Sequence, residues 1–386
     1  MTSRQRLLTA LNRQVPDRLP VTTHHVMPSF LNRYMAGTDS TAFFDRFGLD
    51  AITWTVPHRP DPEANEFYDP DQGEPGFLES RRVATENWRV EWEEIPHKEC
   101  KTPRYSFVTP GGSLSMVLQA DEHTAWVSEP LIKKKSDIAL IAKYVTAPKC
   151  NTGEVNRVAE SFGERGIVRG HICCFDVFGQ PGTWQDATCL VGTERLIMET
   201  FDDPAWVHEL LKILQVRKKT FVRSLAGARY DILELGGGSA SSTVISPAIF
   251  DEFVAPYDSE LIELAHQAGQ RIVYHICGGI MPLLDRLVAM GPDAVETFTP
   301  LSMGADTDLA AAKKRIGDRV CMIGGFDQGH YFAGCTSEET RAEVRRCFEQ
   351  AGVGGGYILA PSDHFFDAEI ELLEAFADEA RACRYN

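Results

Sequence analysis

The stretch RIVYHICGGIMPLLDRLVAMGPDAVETF, residues 271–298, decides the fold. Its apolar run from Arg271 to Ile276 predicts a strand. Met281 to Met290 then predicts a helix, and Ala294 to Phe298 a second strand. The same alternation continues outward in both directions. Toward the C-terminus come a helix from Asp308 to Ile316, a strand from Val320 to Ile323, and a helix running to Gln350. Thr336 and Glu339 open that last helix with the spacing of a capping box. A strand from Tyr357 to Ala360 and a helix from Glu369 to Cys383 follow. Toward the N-terminus, Ser246-Pro247 opens a helix that passes Leu261, Leu264 and Ala265 on its way to Gly269. Asp231 to Leu235 is a strand, and Asp203-Pro204 opens a long helix with Val207, Leu210, Leu211 and Leu214 as its buried stripe. An aspartate or serine before a proline is a helix-start device, since the side chain caps free N–H groups and proline lacks one. Gly166 to Cys173 is a further apolar strand.

Two more strands precede these. One enters at Leu19-Pro20-Val21 and ends near His24-His25, and the other runs from Ala51 to Val56. The strands therefore lie near residues 20, 53, 170, 233, 273, 296, 322 and 358, eight in all, with helical sequence between them. Strict alternation implies a parallel sheet with helices outside. Eight repeats fit an α/β fold of the (β/α)8 TIM barrel type, and an open sheet would need a GxGxxG loop that is not there. Gly236-Gly237-Gly238 has neither that spacing nor a P-loop ending and reads as a tight loop. From Arg59 to Ser136 helical periodicity vanishes, and short alternating runs such as Trp88-Arg89-Val90-Glu91-Trp92 indicate antiparallel ribbons. The expectation is one domain over residues 1–386, with a β-ribbon inserted after the second strand at 59–136.

The 386 residues are 43% hydrophobic and 24% charged, an ordinary globular composition. A formal net charge of −16 argues against nucleic acid or an anionic membrane as partner. The short basic runs Lys133-Lys134-Lys135 and Lys218-Lys219 read as solvated faces. No run reaches the ~18 apolar residues of a membrane span. The opening Met1 to Arg6 leads into an amphipathic helix from Ser3 to Asn12 and does not resemble an export signal. Ten cysteines without a disulfide-like spacing then imply reduced thiols in a cytoplasmic protein acting on a small molecule.

In a barrel the chemistry sits at the C-terminal ends of the strands. His275 and Cys277, two apart on one strand, face the same way and offer an imidazole and a thiolate to an ion such as zinc. A third ligand is expected from Asp363 first, with His364 and Glu234 in reserve. Glu234, Glu296, Asp363 and His364 are the candidate catalytic groups. His24, His25, Trp54, Phe326 and Asp327 are the candidate substrate contacts, and a mouth lined by rings such as Trp54 and Phe326 suits an aromatic or macrocyclic ligand. Cys173 or Cys174 reads as a small apolar filler.

With these residues in view, the whole chain resembles the uroporphyrinogen decarboxylase superfamily. Arg6-Leu7-Leu8-Thr9-Ala10-Leu11-Asn12 with Pro16-Asp17-Arg18-Leu19-Pro20-Val21 looks like the family's start. Phe178 to Trp184 with Gly192, and Ile245 to Tyr257, are similar to other recurrent stretches. His275-Ile276-Cys277-Gly278 resembles the fifth-strand signature of the cobamide-linked zinc methyltransferase branch. True porphyrinogen decarboxylases carry an Arg-Gln-Ala-Gly-Arg run after the first strand, and here only Arg33-Tyr34 matches its end. Their Gly-His-Gly loop is replaced by Ala360-Pro361-Ser362-Asp363-His364, and Asp363 stands where the methyltransferases place a further cysteine. The resemblance implies a metal-dependent methyltransferase or O-demethylase, with zinc in the chain and a corrinoid on a separate partner protein. The alternatives are a cofactor-independent decarboxylase and a non-catalytic barrel that binds a tetrapyrrole or an aromatic compound. Self-association is left open.

Overall fold

Seven strands, each poor in charge and buried along its length, pair in parallel in chain order. They are Ala51–Trp54, Gly166–His171, Ile232–Gly236, Ile272–His275, Ala294–Thr297, Cys321–Gly324 and Tyr357–Ile358. Near-continuous apolar runs of this kind are what a parallel sheet covered on both faces requires. This is a computed structural model, and it describes residues 1–385.

The sheet curls until its two edges meet through residues 20–22. Val21 bridges in parallel to Leu359. Leu359 N–H donates to the Pro20 carbonyl and Thr22 N–H to the Leu359 carbonyl, both at 2.9 Å. On the other side Asp50 N–H donates to the Val21 carbonyl at 2.7 Å. The first of the eight expected strands is thus a single bridged residue, not a full strand. Two features cut it short. Pro20 has no N–H to give a ladder, and the Val21 N–H is taken by the Asp50 carboxylate at 3.0 Å. That carboxylate also binds Arg6 and Arg18, so the start of the chain is pinned by a buried ion cluster.

The expected ribbon is present as a four-stranded antiparallel sheet of Arg89–Glu94, Pro103–Thr109, Gly112–Ala120 and Ala125–Glu129. Trp88 fastens it to the sheet's C-terminal side, its indole N–H donating to Asp176 at 3.0 Å. Two further sequence readings need correction. The helix opened by Ser246-Pro247 is interrupted by a π-helical turn at Phe250–Val254 before Ala255–Gln267 continues. Pro256 explains it, since its ring clashes with the carbonyl one turn back and it lacks an N–H. Lys218 is not on a solvated face. It is wholly buried, with its ammonium 2.8 Å from Asp186 and donating to the carbonyls of Cys173 and Gln180. It ties the loop after Gly166–His171 to the long helix Pro204–Arg223. Among the described residues no helix is long and apolar enough to cross a membrane.

Candidate functional site

The C-terminal ends of the strands collect a set of buried charges around one guanidinium. Arg169 comes from the middle of Gly166–His171 and is 2% exposed. It donates to Glu234 at 2.8 Å and to both oxygens of Glu296, one of them at 3.0 Å. Its other face lies over the Trp54 ring, 4.6 Å from the centroid. Desolvating an arginine is costly, and two carboxylates at this range repay it. Burial likewise opposes the charge on Glu234, but His24, His275 and Arg169 outweigh it and hold its carboxyl below the usual carboxylate range. Glu296 is lowered against burial in the same way, chiefly by Arg169 and His24.

Each of these carboxylates orients a histidine. His275 Nδ1 lies 2.9 Å from Glu296, and His24 Nε2 lies 2.8 Å from Glu234. The two imidazoles stack with centroids 4.7 Å apart. His275 then presents Nε2 to the Cys277 sulfur at 2.8 Å, and that thiol donates to Asp363 Oδ2 at 3.0 Å. Nitrogen, sulfur and carboxylate oxygen converge here on one point. The carboxylate behind His275 fixes its tautomer and turns the other nitrogen outward, as metal-binding histidines are commonly held. Burial opposes a proton on His275, yet Cys277, Glu234 and Glu296 push its pKa well above the ordinary value. Burial raises the Cys277 thiol. A cation would compete with that imidazole and thiol for their protons at the same atoms. The donor set therefore fits a zinc-like ion held by His275, Cys277 and Asp363.

The backbone that carries His275 is held closely. Gly236 has φ +110°, and a Cβ there would lie 2.4 Å from the His275 carbonyl oxygen. Gly237 N–H donates to that same carbonyl at 2.8 Å. The glycine loop expected from sequence thus presses against the histidine strand.

The remaining candidates separate into two groups. His25 packs against both His24 and the edge of Trp54, with centroids 3.9 and 4.6 Å away. Burial, with the neighbouring His24 imidazole, keeps its pKa well below the ordinary value. His364 Nδ1 is 2.9 Å from Asp363 Oδ1, and Trp54 N–H donates to the His24 carbonyl at 3.0 Å. All three stand at the site. Phe326 and Asp327 do not. Phe326 is fully buried in an aromatic cluster with Phe332 and Phe376. Asp327 caps the helix Gln328–Tyr331 and accepts from Ser302 at 2.5 Å. Asp363 Oδ1 also accepts from the backbone N–H of His364 at 2.7 Å. Of the cysteine pair, Cys173 is buried filler, while Cys174 reaches the cavity below.

Arg169 and His171 are the residues that sequence reading overlooked. Arg169 is the single charge in the otherwise apolar run Gly-Ile-Val-Arg-Gly, and such a charge in a buried strand must have a partner. A cavity of about 590 Å³ opens above the cluster, between the strand ends and the inner face of the ribbon. Glu234, His25, His171 and Trp54 line its floor, and Trp92 and Tyr105 line its roof.

The ionisable groups thus gather at the C-terminal ends of a curled parallel sheet, where barrel folds carry their sites. The chain belongs to the uroporphyrinogen decarboxylase (URO-D) family, whose model matches residues 179–383, more than half of the sequence. The match takes in Glu234, His275, Cys277, Glu296, Asp363 and His364 but not His24, His25, Trp54 or Arg169. Curated relatives are uroporphyrinogen decarboxylases. One from Hordeum vulgare is 25% identical over 57% of this chain and 66% of its own length. One from Cellvibrio japonicus is 28% identical over 50% and 54%, and one from Thioalkalivibrio sulfidiphilus 26% over 41% and 43%. The chain thus spans less than two thirds of each of these relatives. A methyltransferase from Methanosarcina mazei has the same fold, with a TM-score of 0.61 over 98% of both chains at 15% identity.

Proposed function

We propose that this protein is a metal-dependent methyltransferase or O-demethylase that works with a corrinoid supplied by a partner protein. The observation that supports it most is the convergence of His275 Nε2, Cys277 Sγ and Asp363 Oδ2, with His275 oriented by Glu296. An ion bound there would supply Lewis acidity toward the heteroatom that carries the methyl group. Exchanging thiolate for carboxylate at Asp363 makes a harder donor set, suited to an oxygen or amine substrate. The chain's own residues do the rest. Arg169 balances Glu234 and Glu296, which keeps both histidines in place. Trp54, Trp92 and Tyr105 give the cavity flat apolar walls for a small methylated, methoxy-aromatic type of substrate. The ribbon forms one wall of the cavity through Trp92 and Tyr105.

The charge of the cavity weighs against uroporphyrinogen as substrate. A polycarboxylate needs several free cations. Arg169 is committed to two carboxylates, and Arg82 pairs with Asp69 at 2.5 Å. Asp71, Glu74 and Glu79 also line the cavity and add negative charge.

The test uses protein purified without chelator. It should contain a transition ion and form methylcobalamin from reduced cobalamin and a methoxy-aromatic or methylamine donor, and Cys277→Ala should lose the methyl transfer and the ion held with His275 and Asp363. Failure across those donors, together with release of coproporphyrinogen from uroporphyrinogen III at ~1 per second or faster, would restore the decarboxylase.

A further inference from the structure

Asp363 uses its two oxygens differently. Oδ2 belongs to the His275–Cys277 group described above. Oδ1 faces a second set of donors, at 2.9 Å from His364 Nδ1 and 3.7 Å from His24 Nδ1. His25 joins these two: one ring nitrogen from each of His24, His25 and His364 lies within 4.8 Å of the others, and Asp363 stands beside that group, against His24 and His364. Cys277 is not among them.

Two of these nitrogens are unusual. His24 Nδ1 and His25 Nε2 are both buried without a hydrogen-bond partner. A buried polar atom left unpaired costs about 1–3 kcal/mol, and two side by side need a reason. His24 is 92% buried by its 8% exposure, so water does not reach it from bulk. Its Nε2 is spoken for by Glu234, which leaves Nδ1 with a free lone pair pointing at Asp363. That is the same device that turns His275 Nε2 toward Cys277.

We infer that the barrel mouth holds a second cation site, formed by His24, His25 and His364 with Asp363 as a carboxylate shared between the two sites. Three imidazoles and one carboxylate oxygen suit a divalent first-row ion such as zinc, cobalt or manganese, without the thiolate preference of the first site. His364 is 33% exposed at its side chain, so the site opens toward the cavity and leaves room for a further ligand from solvent or substrate. The neighbouring cluster of His24, Glu234, His275 and Glu296 is not a third site, because Arg169 already supplies its positive charge.

The inference does not depend on methyl transfer, and one titration separates the two. The full chain is stripped with chelator and loaded with Zn²⁺ alone or Co²⁺ alone. The parent should take up about two ions per chain, and His25→Ala and His364→Gln should each take up about one. In the cobalt-loaded protein, thiolate-to-metal absorption should survive in both histidine variants and vanish in Cys277→Ser, which still holds one ion. Circular dichroism of each variant confirms that it is folded, and His364→Gln carries the test if His25→Ala is not. One ion per chain in the parent, unchanged in the histidine variants and lost in Cys277→Ser, overturns the second site and leaves the proposed function standing. No uptake at all overturns both.

Discussion

His24 and His275 reach the same small space from opposite sides, and each is oriented by a buried glutamate. His275 leans on Glu296 and His24 on Glu234. A single guanidinium, Arg169, bridges both glutamates. The arms differ in what stands beyond the imidazole. On one side it is a thiol two residues along the same strand, and on the other it is two more histidines brought from separate loops. The same orienting chemistry is thus used twice, with a soft donor set in one arm and an all-imidazole set in the other. Asp363 joins them.

The largest effect should come from removing what the arms share. Arg169→Met leaves Glu234 and Glu296 buried without their common cation. Breaking a buried ion pair from one side costs about 3–5 kcal/mol, read as a lowered midpoint in urea unfolding. A loss under ~1 kcal/mol would mean that water or protonation already compensates the glutamates, and the two-armed description would fail. Asp363→Ala comes next. Its side chain is about one third exposed, so the fold should persist while uptake at both arms falls. Combined with His275→Ala, the loss in the thiolate arm should be far from additive, because both residues serve one ion. Additive losses would place them in different sites.

A smaller change tells the arms apart. Glu296→Gln should weaken ion binding in the thiolate arm by about 10–100-fold, and Glu234→Gln should do the same in the histidine arm. Cobalt absorption from the thiolate reports the first, and the uptake that persists in Cys277→Ser reports the second. If either substitution weakens both arms equally, the arms are one unit coupled through Arg169.

The two arms were not equally legible in the sequence. His275 and Cys277 share a strand, so period-two geometry alone puts them on one face, and the exit of the last strand brings Asp363 across. The seven strands were legible for a similar reason, since buried parallel strands write themselves as apolar runs between capped helices. The histidine arm was not. His24 and His25 come from a chain segment that keeps only one bridged residue of the expected strand, and nothing in that segment's pattern says which of the two turns inward. Both do, because the chain there leaves strand geometry and strict alternation no longer applies. Lys218 misled for a related reason. Its partners Asp186, Cys173 and Gln180 lie far off in sequence, so a buried ammonium looks like a surface run. Phe326 and Asp327 follow a strand as a site residue would, but the short helix Gln328–Tyr331 folds them back into the core.

The smallest expected effect concerns Trp54, which touches the histidine arm without being able to bind an ion. Its indole N–H donates to the His24 carbonyl, and its ring lies under the Arg169 guanidinium. Trp54→Phe keeps an aromatic face for the arginine and deletes the hydrogen bond. The net worth of such a bond is about 0.5–1.5 kcal/mol, so the unfolding midpoint should fall only slightly. The position of His24 is the more telling readout. Without the bond its backbone is less firmly fixed, and the uptake remaining in Cys277→Ser should weaken while the thiolate absorption of the otherwise intact protein stays as it was. That asymmetry would show that the histidine arm depends on a tether the thiolate arm does without, its own histidine being held by the strand ladder and by Gly237. A matching loss in the thiolate arm would instead trace the effect to Arg169, which lies over the Trp54 ring and serves both arms.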